Sequence, residues 1–167
     1  MKQHPWTTAL IALGVMNVWA DGSNAQKLTG VELKSLTNHT HGISSIDFTS
    51  DSNLMASGSW DKTVTLWSMP ACKLKRTLSG HEEAVWDLSF SPDDEIIATG
   101  SSDNTAKLWR VKDGKLLYTL KGHRYGVTSV DFSPDGSVLA TGSFDSTIKL
   151  WSVRKGRLLA TMTGHRG

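Results

Sequence analysis

The chain has 167 residues, 38% of them hydrophobic, and a formal net charge of +2. That length is enough for one ordinary domain with its own core, and a charge so close to neutral gives no sign of a nucleic-acid partner. The single cysteine, Cys72, excludes an internal disulfide and leans towards a reducing compartment.

Residues 1–30 stand apart from the rest of the chain, and two readings of them compete. In the first, Lys2 is a minimal positive start, Ala9 to Ala20 an apolar run, and Ser23-Asn24-Ala25 a small-residue cleavage site. That is the layout of a signal peptide, which would place the protein outside the cell or in a periplasm. The run is too short and interrupted to span a membrane. In the second reading, Leu13 to Trp19 (LGVMNVW) is a worn copy of Asp61 to Trp67 (DKTVTLW), a strand that recurs further along the chain.

From residue 31 onward the expected elements are short strands. The first is an outer strand around Val31 to Leu36. Three copies of a four-strand pattern come next, clearest in the second copy as Val85 to Phe90, Ile96 to Ser101, Ala106 to Val111 and Leu116 to Leu120. These runs are rich in β-branched and aromatic residues and alternate apolar with polar. Ser-Pro-Asp-Asp, Ser-Asp-Asn-Thr and Lys-Asp-Gly separate them as turns. The pattern predicts antiparallel meanders without helices.

The copies keep one spacing. His39, His81, His123 and His165 are 42 residues apart, as are Ser59, Ser101 and Ser143, then Asp61, Asp103 and Asp145, then Trp67, Trp109 and Trp151. Each copy runs His, Ser-x-Asp, Trp, with 28 residues from His to Trp. A period this strict marks one supersecondary unit repeated in tandem. The copies occupy about 38–79, 80–121 and 122–163, and Gly164-His165 opens a further one within 164–167.

In period and in its Gly-His and Trp landmarks this region resembles the WD-repeat (WD40) β-propeller family. The resemblance covers residues 38–167 and the strand before them. The Asp that usually follows the Trp is replaced by Ser68, Arg110 and Ser152. The implied fold is all-β, a partial, open propeller of three four-stranded antiparallel blades plus flanking strand, with residues 31–167 as the propeller portion and 1–30 as a separate segment. Propellers close with four or more blades, so the chain is expected to form part of a ring, with a second copy as one way to complete it. The mostly intracellular habit of the family favours the cytoplasm.

Ser, His and Asp recurring together invite a hydrolase reading, but a nucleophile is needed once, at a cleft with an oxyanion site. The resemblance instead implies buried structural tetrads: His39/Ser59/Asp61/Trp67, His81/Ser101/Asp103/Trp109 and His123/Ser143/Asp145/Trp151. In each, the indole N–H would reach the Ser, the Ser the His, and the His the Asp. His39 and His41 could share one side of a strand, but no Cys or carboxylate cluster completes a metal site. No phosphate-binding loop, nucleophile elbow or dinucleotide fingerprint occurs. No catalytic residue, cofactor or metal is expected.

Partners of such propellers often bind the face carrying the d–a and b–c loops. Three positions per copy map there by motif: Trp60, Ser102 and Phe144; Ser44, Trp86 and Thr128; and Gly42, Ala84 and Gly126. Trp60, Trp86 and Phe144 stand out, because aromatics are enriched in binding hot spots; packing on a neighbouring blade is the competing use. Arg124, Tyr125, Glu82 and Glu83 would form a polar rim. The expected function is a non-catalytic protein-protein interaction scaffold, binding proteins or peptides rather than nucleic acid; the alternatives are an exported, envelope-associated WD-repeat protein and an accessory WD-repeat domain of a larger enzyme or ubiquitin-ligase substrate adaptor.

Three weaker signals complete the sequence. Before residue 105 there are 7 Lys/Arg and 12 Asp/Glu, and from 105 onward 11 and 4. The later excess, including Lys107, Arg110, Lys112, Lys115, Lys149, Arg154, Lys155 and Arg157, is expected on outer strands as a solvated rim or a docking surface. Trp151-Ser152-Val153-Arg154 has the ends of the Trp-Asp-x-Arg signature carried by ubiquitin-ligase substrate adaptors of the family but lacks its acid. Asn38-His39-Thr40 reads as a glycosylation sequon.

Overall fold

Turn chemistry sets the strand spacing throughout the computed structural model, which describes residues 9–11 and 34–164. In the first turn of each blade a hydroxyl folds the chain back. Ser91 Oγ donates to Asp93 Oδ1 at 2.5 Å and accepts from the backbone N–H of Ile96 at 2.9 Å. Thr49 with Asp51 and Ser133 with Asp135 repeat the first bond at 2.7 and 2.6 Å. The next turn passes through left-handed backbone at Lys62, Asn104 and Ser146, with φ of 76°, 67° and 62°.

The described strands in chain order begin with β1 (Ala9–Ile11) and β2 (Lys34–Leu36), which pair antiparallel with Ala9 opposite Leu36. Blade 1 is β3 (Ile43–Phe48), β4 (Leu54–Ser59), β5 (Thr63–Ser68) and β6 (Lys73–Ser79). Blade 2 is β7 (Val85–Phe90), β8 (Ile96–Ser101), β9 (Thr105–Arg110) and β10 (Leu116–Lys121). Blade 3 is β11 (Val127–Phe132), β12 (Val138–Ser143), β13 (Ile148–Ser152) and β14 (Arg157–Met162). Each blade is a four-stranded antiparallel sheet with strands in sequence order. The described structure is therefore all-β and has the form of an open propeller arc. The worn strand expected at 13–19 and the cleavage site near Ala25 lie outside the described residues; beside β2, the strand partner is β1.

The cores lie between blades, because a sheet must cover both faces. Ala56, Val64, Leu66 and Leu78 of blade 1 meet Val85, Leu88, Phe90, Ile97, Trp109 and Val111 of blade 2. Ala98, Ala106, Leu108 and Leu120 of blade 2 meet Val127, Val130, Phe132, Leu139, Trp151 and Val153 of blade 3. A smaller cluster sets Leu36 of β2 on Met55, Trp67 and Met69.

Close approach requires glycine in the second strand of the blade. A Cβ on Gly100 would lie 2.9 Å from Val127 Cγ1 and 3.1 Å from the Val127 carbonyl oxygen. Polar struts cross the same interfaces. Ser45 Oγ donates to Asp87 Oδ1 at 2.8 Å, the Phe90 N–H to Asp47 Oδ2 at 2.8 Å, and the Val130 N–H to Asp87 Oδ2 at 3.0 Å. The ends of the arc are apolar. Ile46 is 53% exposed where its equivalent Leu88 is 4% exposed, Phe48 is exposed, and every residue of β14 is exposed.

Candidate protein-binding face and the buried networks beneath it

The buried networks form in each blade, with one correction to their membership. His39 Nδ1 lies 2.9 Å from Asp61 Oδ2, His81 Nδ1 2.7 Å from Asp103 Oδ2, and His123 Nδ1 2.9 Å from Asp145 Oδ2. The hydroxyl between ring and indole is not Ser59, Ser101 or Ser143. It belongs to the residue two positions earlier: Ser57, Thr99 or Thr141. Trp67, Trp109 and Trp151 donate their indole N–H to Ser57, Thr99 and Thr141, each at 2.9 Å. The same hydroxyls sit 2.9, 2.7 and 2.7 Å from Nε2 of His39, His81 and His123. A carboxylate at Nδ1 fixes the proton there, so Nε2 accepts from the hydroxyl while the hydroxyl accepts from the indole.

Ser59, Ser101 and Ser143 do something else. Their hydroxyls donate to the carbonyls of His41, Glu83 and Tyr125 at 3.3, 3.0 and 2.9 Å, and accept from the N–H of Asp61, Asp103 and Asp145, each at 3.1 Å. They brace the loops at the top of the blade. Burial would by itself raise the three Asp carboxyls, but it is outweighed by hydrogen bonds from Thr63, Thr105 and Thr147, from the three His rings, and from the N–H groups of Thr40, Glu82 and Arg124. All three are held below the ordinary carboxylate range.

The hydroxyls that meet histidine Nε2 are buried: Ser57 is 4% exposed, Thr99 0% and Thr141 1%. Each is also occupied by an indole, so none offers a reachable nucleophile. Among the described residues no group of three or more His, Cys, Asp and Glu could hold a metal ion, and no helix is long and apolar enough to cross a membrane.

At the loop end, the three motif positions of each blade converge. The N–H groups of Trp60, Ser102 and Phe144 donate to the carbonyls of Gly42, Ala84 and Gly126 at 3.0, 2.9 and 3.1 Å. Ser44, Trp86 and Thr128 each sit at a register shift of the inner strand, where a bulge re-aims the side chain. Trp60, Trp86 and Phe144 form a row across all three blades, with Trp60–Trp86 centroids 5.9 Å apart and Trp86–Phe144 centroids 6.3 Å apart, both edge to face. Trp60 is 50% and Phe144 65% exposed. Trp86 is half-buried and donates its indole N–H to Ser102 Oγ at 2.6 Å, so Ser102 aims the central ring.

The polar positions around the row divide into committed and exposed. Ser44 Oγ donates to the carbonyls of Gly58 and Val85 at 3.1 and 2.7 Å, which makes it a strut to blade 2. Thr128 Oγ1 donates to the Gly142 carbonyl at 3.4 Å. Arg124 and Tyr125 are exposed at the rim. Of the positive residues expected on a solvated rim, Lys107 and Lys149 are instead buried, while Arg110, Lys112, Lys115, Arg154, Lys155 and Arg157 are exposed. Their ammonium groups donate to the hydroxyls of Thr119 and Thr161 on the neighbouring strand, at 3.1 and 2.9 Å.

Stacked four-stranded blades tied by His-Asp corners define a β-propeller repeat protein. A family model described as WD domain, G-beta repeat matches residues 30–68, 72–110 and 114–152, and the chain belongs to that family. A 41-residue stretch is 49% identical to the Periodic tryptophan protein 2 homolog of Schizosaccharomyces pombe, covering 25% of this chain and 5% of that protein. A 59-residue stretch is 39% identical to the Small ribosomal subunit protein RACK1 of Drosophila melanogaster, covering 35% of this chain and 19% of the relative. A 36-residue stretch is 53% identical to the Guanine nucleotide-binding protein subunit beta of Schizosaccharomyces pombe, covering 22% and 12%. The matched segments thus span less than a fifth of each of these relatives.

Proposed function

We propose that residues 31–167 act as a non-catalytic protein-protein interaction scaffold, a WD-repeat module within a multiprotein complex. The observation that carries this reading is the row Trp60, Trp86 and Phe144, which crosses three blades with its outer rings in solvent. Trp60 and Phe144 belong to neither inter-blade core cluster and keep half or more of their surface in water, and aromatic anchors dominate protein interfaces. Two of the relatives carry names that make them parts of larger assemblies, a small ribosomal subunit and a guanine nucleotide-binding protein, which supports the same reading. Burial of the three hydroxyls that bridge His Nε2 to an indole, Ser57, Thr99 and Thr141, supports the non-catalytic part. The single cysteine favours the cytoplasm as the site of action.

The test is affinity capture by the chain and by a Trp60→Ala/Trp86→Ala/Phe144→Ala variant, compared by mass spectrometry. Hot-spot aromatics cost about 2 kcal/mol or more each on truncation, so specific partners should be lost from the variant while its far-ultraviolet circular dichroism is unchanged. Undiminished capture, or a collapsed melting transition, would assign the row to packing.

A further inference from the structure

We propose that the outer groove of blade 3 binds a phosphorylated side chain of a partner protein, an inference that rests on the protein-binding reading and extends it to a second subsite. The same place in each blade, between the third and fourth strands and beside the His-Asp corner, is furnished differently in the three repeats. In blade 1 Asn38 fills it, donating from Nδ2 to Thr65 Oγ1 at 2.8 Å and to Thr77 Oγ1 at 3.2 Å. Gly80 and Gly122 stand at the equivalent position in the next repeats, and lysine replaces Thr65.

Blade 2 has an open groove of about 390 Å³ in which Lys107 and Lys121 face Glu82 and Asp103, so its charges balance. Blade 3 has a groove of about 290 Å³ whose charged lining is Lys149, Arg124 and Asp145. Arg124 stands where blade 2 has Glu82, and Thr163 where it has Lys121. Of these two grooves, the one in blade 3 carries an excess of positive charge.

The donors in it are underused. Lys149 is 9% exposed, and its Nζ donates to Thr161 Oγ1 at 2.9 Å. Among the described residues neither Lys149 nor Arg124 takes part in an ion pair. A nearly buried cation without a counter-charge is costly, and a bound anion relieves that cost. Asp145, like Asp103 in blade 2, offsets one of the two positive charges and leaves the other without a counter-charge. Its Oδ2 already meets His123 Nδ1 and the Arg124 N–H, and its Oδ1 meets the N–H and hydroxyl of Thr147. Thr161 accepts from lysine and so keeps its own proton to donate.

A phosphomonoester suits this set, with close to two negative charges near neutral pH and three oxygens to be met by a guanidinium fork, an ammonium and hydroxyls. The groove adjoins the aromatic row, since Arg124 precedes Tyr125 and Gly126, and a Cβ on Gly126 would lie 3.5 Å from Phe144. A peptide can therefore enter the groove and reach the row. Glu82 and Glu83 on the neighbouring loop oppose a continuous polyanion, which favours a single phosphate on a protein over a nucleic-acid backbone.

The experiment is equilibrium dialysis of the chain at low ionic strength against a fluorescent phosphoserine peptide and its unphosphorylated twin. The phosphopeptide should bind at one site per chain, at least tenfold more tightly than the twin, and inorganic phosphate should displace it. Arg124→Glu, which copies blade 2, should lower affinity at least tenfold, whereas Glu82→Arg should create a second site. The Trp60→Ala/Phe144→Ala variant should keep the phosphate preference, so a failed aromatic face and a failed groove give different results. Equal binding of the twin, an indifferent Arg124→Glu, or tighter competition by a single-stranded RNA would overturn the assignment.

Discussion

Replacing Thr99 with valine removes one hydroxyl and preserves shape, which makes it the cleanest perturbation of a buried network. In the folded chain that hydroxyl receives the Trp109 indole N–H at 2.9 Å and meets His81 Nε2 at 2.7 Å, in a position with no solvent exposure. The valine variant leaves both groups unpaired inside the blade. At about 1–3 kcal/mol for a buried unsatisfied polar group, the pair should cost roughly 2–6 kcal/mol. Thr99→Ser keeps the hydroxyl, as Ser57 does in blade 1, and should cost only about 1 kcal/mol for the lost methyl. Urea denaturation followed by tryptophan fluorescence ranks the two. Hydrogen exchange at the Trp109 indole localises the effect, with protection lost in Thr99→Val and kept in Ser101→Ala. If the serine and valine variants unfold together, or if Ser101→Ala exposes the indole, the assignment of Thr99 to the network is wrong.

Gly100→Ala should destabilise by about 1–3 kcal/mol through its clash with Val127, while Gly142→Ala, whose Cβ would lie 3.7 Å from Ser129 and near nothing closer, should stay within about 0.5 kcal/mol in the same urea titration; equal costs would mean that contact between blades 2 and 3 does not constrain Gly100. Acid should weaken the fold in a defined window. The folded-state values of Asp61, Asp103 and Asp145 lie below the unfolded value, so their stabilisation is complete above about pH 4 and lost as pH falls through the depressed values. Denaturation midpoints should hold from pH 7 to 5 and drop below about 4, and Asp103→Asn should flatten that drop; a midpoint unchanged down to pH 2 would contradict the carboxylate role.

Most of the fold was legible because a repeated sequence states each strand three times. The expected runs Val85 to Phe90 and Ile96 to Ser101 coincide with β7 and β8, and β9 and β10 differ from expectation by a residue at their ends. The hydroxyl of the buried network is hard to single out in the sequence for a physical reason. Residues 57 and 59 project to the same side of one strand, as do 99 and 101, so both carry hydroxyls towards the histidine corner. Ser59, Ser101 and Ser143 are identical across the copies, but those serines brace loops, while the true partners alternate between serine and threonine because only the oxygen matters. The rings of Trp60 and Phe144 were placed on the loop face by motif position alone. The burial of Lys107 and Lys149 had no sequence signal, since charge in a surface-strand pattern ordinarily marks a solvated side chain. Each lines a groove whose counterpart in blade 1 is filled by Asn38 on Thr65, an exchange that depends on which strands pair and so leaves no mark in the sequence.

Asp87 has a consequence for how such a chain can be inherited. One of its oxygens receives Ser45 from the blade before and the other receives the Val130 N–H from the blade after, yet the same register position is serine in both neighbours. A genetic deletion of the middle 42-residue unit would keep every strand in phase and still set Ser45 against Ser129, losing the acceptor. Tandem units that look interchangeable to recombination therefore differ at this carboxylate, and selection against its loss would favour keeping the middle copy in the middle.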